Sequence, residues 1–189
     1  MTPVPDLAPL PPFAAWRFVD SVDGFEVVYP GPRLLRGCTT AIEDGRPYAV
    51  RYAITLDDDW RTREVHVSSD TLDGQRSTVL VADGLGHWMV DGVEAPYLDG
   101  LLDVDLEASA CTNTLPVHRL ALPDGDVIPA SAVYVRALDL SVTRLDQTYR
   151  RVGPRTFDYS ADAGAFRAVL EYDDAGLIVA YPGIAVRVA

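Results

Sequence analysis

Asp103 and Asp105, in "LLDVDLEAS", are the pair whose type and spacing could most directly do chemistry. On a strand, residues i and i+2 share a face, with Cα atoms about 6.7 Å apart. Two carboxylates so placed suit a hydrolase, one as general acid and one activating water, nearer the inverting than the retaining geometry. A plainer reading leaves nothing over: Leu102, Val104 and Leu106 form a buried face and both aspartates stand on the solvent side.

Other chemistry is thinly supported. His66, His87 and His118 are scattered, none at a familiar ligand spacing, so no metal site is expected. The run Asp57-Asp58-Asp59 could seat a calcium ion, but a solvated turn at a strand end accounts for it. Ser109, Cys111 and His118 could suggest a nucleophile and base, yet no glycine elbow surrounds the serine and no orienting acid is evident. Phosphate-cradling glycine motifs are absent, and no cofactor is expected.

A basic and aromatic set remains: Trp60, Arg61 and Arg63; Trp88; His118 and Arg119; and Gln147, Tyr149, Arg150 and Arg151 in "QTYRR". Tyrosine and tryptophan carry an apolar body with a polar tip, and arginine forks onto anionic or hydroxylated groups. That mixture suits a lipid with a sugar or phosphate head. Tryptophans near strand ends also simply seal cores.

The elements that must position these residues are strands. The chain has 189 residues, 48% hydrophobic and 23% charged, which suits one domain with a sizeable core. Asp-Gly, a favoured hairpin loop because both residues tolerate positive φ, occurs at 23–24, 44–45, 73–74, 83–84, 91–92, 99–100 and 124–125. Between these pairs the residues alternate. Tyr48, Val50, Tyr52, Ile54 and Leu56 share one face; Val65 and Val67 oppose Glu64, His66 and Ser68; Phe166, Ala168, Leu170 and Tyr172 oppose Arg167 and Glu171. Period two dominates, so the fold class is mainly β, a meander of antiparallel strands.

"TNTLPVHRLAL" departs from that pattern. Thr112 or Asn113 is the candidate N-cap, and Pro116 lies in the first turn, where no intrahelical N–H is required. A short helix over about 113–121 follows. Arg119 on this helix, buried among strands, needs a carboxylate. Asp105 is the expected partner, tying helix to sheet or organising a ligand or interface.

Charge narrows the partners. A net charge of −12 repels phosphate backbones and anionic lipid surfaces, so nucleic acid is not expected, and any lipid would be held inside. All 16 basic residues are arginine, as codon bias in a GC-rich genome would produce. Cys38 and Cys111 read as free thiols in a reducing compartment. No stretch approaches the roughly 20 apolar residues of a membrane span. The opening residues lack a basic leader and are broken by Pro3, Pro5, Pro9, Pro11 and Pro12, so a cytoplasmic protein is expected, with residues 1–14 an arm and 15–189 one domain.

Together, "DDWRTREVHV", "GHWMVDG", "DVDL", "TNTLPVHRLAL" and "LDQTYRRV" resemble the bacterial family called "putative glycolipid-binding proteins". The resemblance runs from about residue 15 to the C-terminus, with "TNTLP" followed by an arginine its most distinctive piece. It implies a long spiral of antiparallel strands rolled around one α-helix, kinship with bacterial lipoprotein-carrier proteins, and a homodimer built through the helix. It also implies non-enzymatic binding of a lipid or glycolipid. The ligand-binding candidates are then Trp60, Arg61, Arg63, Trp88, Asp105, Asn113, Arg119, Gln147 and Tyr149. The alternatives are the hydrolase of Asp103 and Asp105, and a dimeric structural module without a small ligand. A helix inside the roll would occupy the space a lipid needs.

Overall fold

The computed structural model describes residues 7–20, 22–120 and 125–189. In chain order the strands are β1 (Ala14–Phe18), β2 (Val22–Pro30), β3 (Leu34–Glu43), β4 (Arg46–Leu56), β5 (Thr62–Thr71), β6 (Gly74–Ala82), β7 (Trp88–Val90) and β8 (Val93–Glu94). After them come β9 (Asp103–Leu106), β10 (Val127–Pro129), β11 (Ala132–Val135), β12 (Val142–Leu145) and β13 (Gln147–Gly153). The last four are β14 (Thr156–Ala161), β15 (Phe166–Tyr172), β16 (Ile178–Tyr181) and β17 (Ala185–Arg187).

Fourteen strands form one antiparallel sheet, ordered β10-β13-β14-β15-β16-β17-β1-β2-β3-β4-β5-β6-β7-β8. Neighbours in sequence are mostly neighbours in space, as short Asp-Gly loops require. At Asp44-Gly45 and Asp91-Gly92 both residues have positive φ, the geometry that matches the twist of the flanking strands. Asp23-Gly24 is different: it lies inside β2, and a Cβ on Gly24 would stand 2.4 Å from that of Ala41 on β3. That glycine serves close strand approach, not a turn. Asp124 lies outside the described residues.

The predicted inner faces hold. Tyr48, Val50, Tyr52, Ile54 and Leu56 of β4 are all buried, as are Val65 and Val67 of β5. The end strands β10 and β8 do not pair, so the sheet is a spiral roll and not a closed barrel. A second sheet, β12-β11-β9, lies within it, with β9 parallel to β11. Inward hydroxyls of the large sheet fasten this region: Thr39 Oγ1 donates to the Ala108 carbonyl and Ser69 Oγ to that of Ala137, both at 2.6 Å.

Among the described residues there is one α-helix, α1 (Thr114–Arg119); it follows a 3₁₀ turn at Cys111–Asn113, and its Thr114, Leu115, Pro116 and Val117 are buried. Pro116 falls in the first turn as expected. Asn113 stands at the N-cap position, but its backbone is helical (φ −65°, ψ −9°) and its side chain caps nothing. Of the N–H groups a cap serves, the one at N3 is missing because Pro116 stands there, and the Asn113 side chain bonds elsewhere. Leu120 is extended, so the helix stops earlier than predicted, and Ala121 lies outside the described residues.

Of the proline-rich arm, residues 1–6 are not described. Ala8 donates its N–H to the Asp174 carbonyl at 2.8 Å, and Leu10 packs on the core. Cys38 and Cys111 are free thiols. Among the described residues no helix is long and apolar enough to cross a membrane.

Candidate functional site

All four residues of β9 are buried. A strand covered on both faces explains why Asp103 and Asp105, 0% and 7% exposed, do not face solvent as the alternation suggested. Each must therefore find a partner. The 3₁₀ turn and α1 fold back along β9, bringing Thr112 to Asp105 and Arg119 to Asp103. Thr112 Oγ1 donates to Asp105 Oδ1 at 2.8 Å. Arg119 grips Asp103 with two bonds, Nε to Oδ1 at 2.8 Å and Nη2 to Oδ2 at 2.7 Å. The arginine's partner is thus Asp103, not Asp105, because the returning helix runs antiparallel to the strand. With both Asp103 oxygens taken by Arg119, the two aspartates do not form an open acid–base pair.

Asp105 Oδ2 takes no hydrogen bond from any described residue. Burial is the main influence on Asp105 and raises its pKa to about 7. The Thr112 hydrogen bond opposes that rise, and the carboxylates of Asp103 and Glu107 add to it.

Tyrosines from the far wall converge on the same place. Tyr149 of β13 donates to Asn113 Oδ1 at 2.7 Å, and Tyr172 of β15 to the Asn113 carbonyl at 3.1 Å. Tyr159 of β14 donates to Gln147 Oε1 at 2.7 Å. Tyr181 of β16 packs edge to face on Tyr159, centroids 5.9 Å apart, and lines the same space as Asn113. Burial pushes all four phenols well above their ordinary range, so they remain neutral hydroxyls. The freed side chain of Asn113 is the hub of this network.

Between the small sheet and β14–β16 lies a cavity of about 480 Å³, within the usual range for ligand sites. Asp105, Asn113, Tyr159 and Tyr181 form its polar floor. Phe166, Ile184 and Leu145 supply apolar wall, and Arg136, Thr143, Arg144 and Asp162 stand around it. Tyr159, Phe166 and Tyr181 pack edge to face, with centroids 5.9 to 6.0 Å apart. A hydroxyl-bearing ligand would meet an aromatic face and several directed polar groups here.

The chain matches, over residues 14–187, the sequence profile of the family described as "Putative glycolipid-binding". It belongs to that family. A crystal structure of a DUF1089-family protein from Pseudomonas aeruginosa has the same fold: TM-score 0.84, 34% identity, 92% of this chain covered and 95% of that one. No curated protein matches the chain.

Within this glycolipid-binding-family protein, the structure gathers some predicted site residues and scatters others. Asp105 and Asn113 line the cavity; Tyr149 and Gln147 stand directly behind it through their hydrogen bonds to Asn113 and Tyr159. Arg119 does not line it and is committed to Asp103. Trp60 stacks on His118, centroids 3.6 Å apart and 22° between planes, and does not line the cavity. Burial lowers the His118 pKa to about 4, and its Nε2–H donates to the Ala175 carbonyl. Arg61 and Arg63 hydrogen-bond the carbonyls of Gly84 and Ala82, and buried Trp88 gives its Nε1–H to Leu101. These three stitch strands and loops together. Asp57 accepts the N–H groups of Asp59 and Arg61, which explains the acidic run as a turn.

One buried acid escaped the sequence reading. Glu26 of β2 is fully buried, and its carboxylate takes hydrogen bonds from Tyr52 and Ser109 hydroxyls, both at 2.6 Å, and from the Ala110 N–H at 2.9 Å. The signal was present: Glu26 has the inward parity of Val22 and Val28. Tyr52 reaches it by lying across Gly37 on the intervening strand, where a Cβ would stand 2.1 Å from the phenol ring. Gly37→Ala should therefore displace Tyr52 and destabilise the protein by about 1–3 kcal/mol in urea unfolding. Wild-type stability in this variant would mean the ring is not held there.

Proposed function

We propose that this protein is a non-enzymatic binder of a lipid or glycolipid, whose hydroxylated head enters the cavity over Asp105, Asn113, Tyr159 and Tyr181. The observation that carries the reading is that cavity: aromatic wall, polar floor, and the carboxylate of the 7%-exposed Asp105, whose Oδ1 is held by Thr112 and whose Oδ2 is left for a ligand hydroxyl. The apolar chain leaves past Leu145, Phe166 and Ile184. The space under β4 is filled by the small sheet and α1. A homodimer through the helix would have to be built around the half-buried Trp60–His118 stack, because Thr114 to Val117 are already buried within one chain.

Titration with octyl glucoside, a hexose on a single chain, tests the site. The ring resonances of Tyr159, Phe166 and Tyr181 should shift saturably. Thr143→Trp, at an exposed cavity-lining position, should abolish the shifts while leaving the fold intact. Shifts that persist in Thr143→Trp, or fall on other residues, would contradict this placement.

A further inference from the structure

We infer that the cavity selects a neutral polyhydroxylated head group and rejects an anionic one. The inference deepens the binder reading above and rests on it.

The charges lining the cavity decide the matter. Asp105, Glu107 and Asp162 contribute carboxylates; Arg136 and Arg144 contribute guanidiniums. Both guanidiniums are already answered. Arg144 Nε lies 2.7 Å from Asp146 Oδ1, and Arg136 Nη2 lies 3.7 Å from Glu107 Oε1. Asp105 and Asp162 have no ion-pair partner among the described residues. A phosphate, sulfate or sulfonate entering here would find both lining guanidiniums already paired, and would approach carboxylates in a partly desolvated space where repulsion exceeds its value in water.

A sugar hydroxyl has what it needs. Asp105 is nine-tenths buried and lines the cavity with Oδ2 unbonded, so a ligand hydroxyl can donate to it. Asn113 and the Tyr159 and Tyr181 hydroxyls supply further polar partners, and Phe166 offers a face for the C–H side of a pyranose ring. Protonation of Asp105 changes which partner donates, and it creates no positive charge for an anion.

The test is the binding of a monohexosyl diacylglycerol against its 6-sulfonated counterpart, with identical acyl chains, in detergent-free nanodiscs at about 0.15 M salt. The neutral lipid should bind at least about tenfold more tightly. Asp162→Asn should narrow that preference roughly two- to fivefold. The substitution is at an exposed position whose φ of 51° asparagine also tolerates. Equal affinity, or preference for the sulfonated lipid, would overturn the selectivity and leave the binder reading standing. A preference unchanged in the Asp105→Asn/Asp162→Asn double variant would overturn the charge argument. Binding of neither lipid would overturn selectivity and binder reading together.

Discussion

Arg119→Ala should destabilise the protein by about 3–5 kcal/mol at pH 7. The Arg119 side chain is 12% exposed and that of Asp103 1%, so the pair is nearly as dry as the core around it. Burial drives the Asp103 pKa up, while the hydrogen bonds and charge of Arg119 pull it down. Removing the guanidinium leaves a buried carboxylate with no partner, which must either stay charged at high cost or take a proton. Replacing both members, as Asp103→Leu with Arg119→Met, should recover most of the loss, because well-packed apolar residues substitute for a buried pair at little cost. Urea unfolding of the single and double variants reads both effects. A loss under about 1 kcal/mol for Arg119→Ala would place the pair among surface bridges, which contribute little, and would remove the link between α1 and β9.

The second large effect concerns Glu26. Its pKa is raised from 4.5 to about 7, mainly by burial, with the Ser109, Tyr52, Ala110 and Cys111 hydrogen bonds opposing. Between those two values the folded protein keeps a proton that the unfolded chain has released. Native protein binds more protons there, so Glu26 makes stability fall as pH rises through this window. Asp105, raised to about 7, acts in the same direction, whereas His118, lowered to about 4, acts in the opposite one below about 6.5. Comparing a variant with wild type at each pH cancels those other groups. Relative to wild type, Glu26→Gln should gain roughly 2–3 kcal/mol between pH 5 and pH 8. The amide can fit: its oxygen takes the Ala110 N–H, and its NH₂ donates to the Tyr52 and Ser109 hydroxyls, which can turn to accept. A stability difference that stays flat with pH would mean Glu26 is ionised throughout.

Much of the large sheet could be read from residue order. Its strands are joined locally, and alternation such as Tyr48 to Leu56 marks one face directly. The helix was legible from Pro116 and the break in period. What alternation cannot report is whether a strand's second face is also covered. β9 pairs in parallel with β11, with Asp103 opposite Ala132, and that long-range pairing buries both aspartates. The identity of Arg119's partner depends on the direction in which α1 returns along β9, which no local pattern specifies. Asn113 was singled out as a helix cap, yet it serves as acceptor for two tyrosines from distant strands. Arg61 and Arg63 have the composition of a head-group site, but backbone carbonyls within reach claim them first.

The most direct test of the account is native mass spectrometry of the protein isolated from its own host, followed by solvent extraction and identification of what is released. Binding at the Asp105–Tyr181 cavity predicts a discrete adduct of lipid mass, carrying a neutral sugar head, that is lost in Thr143→Trp. A clean apo protein that takes up no lipid from an offered panel, or an adduct that persists in Thr143→Trp, would contradict it.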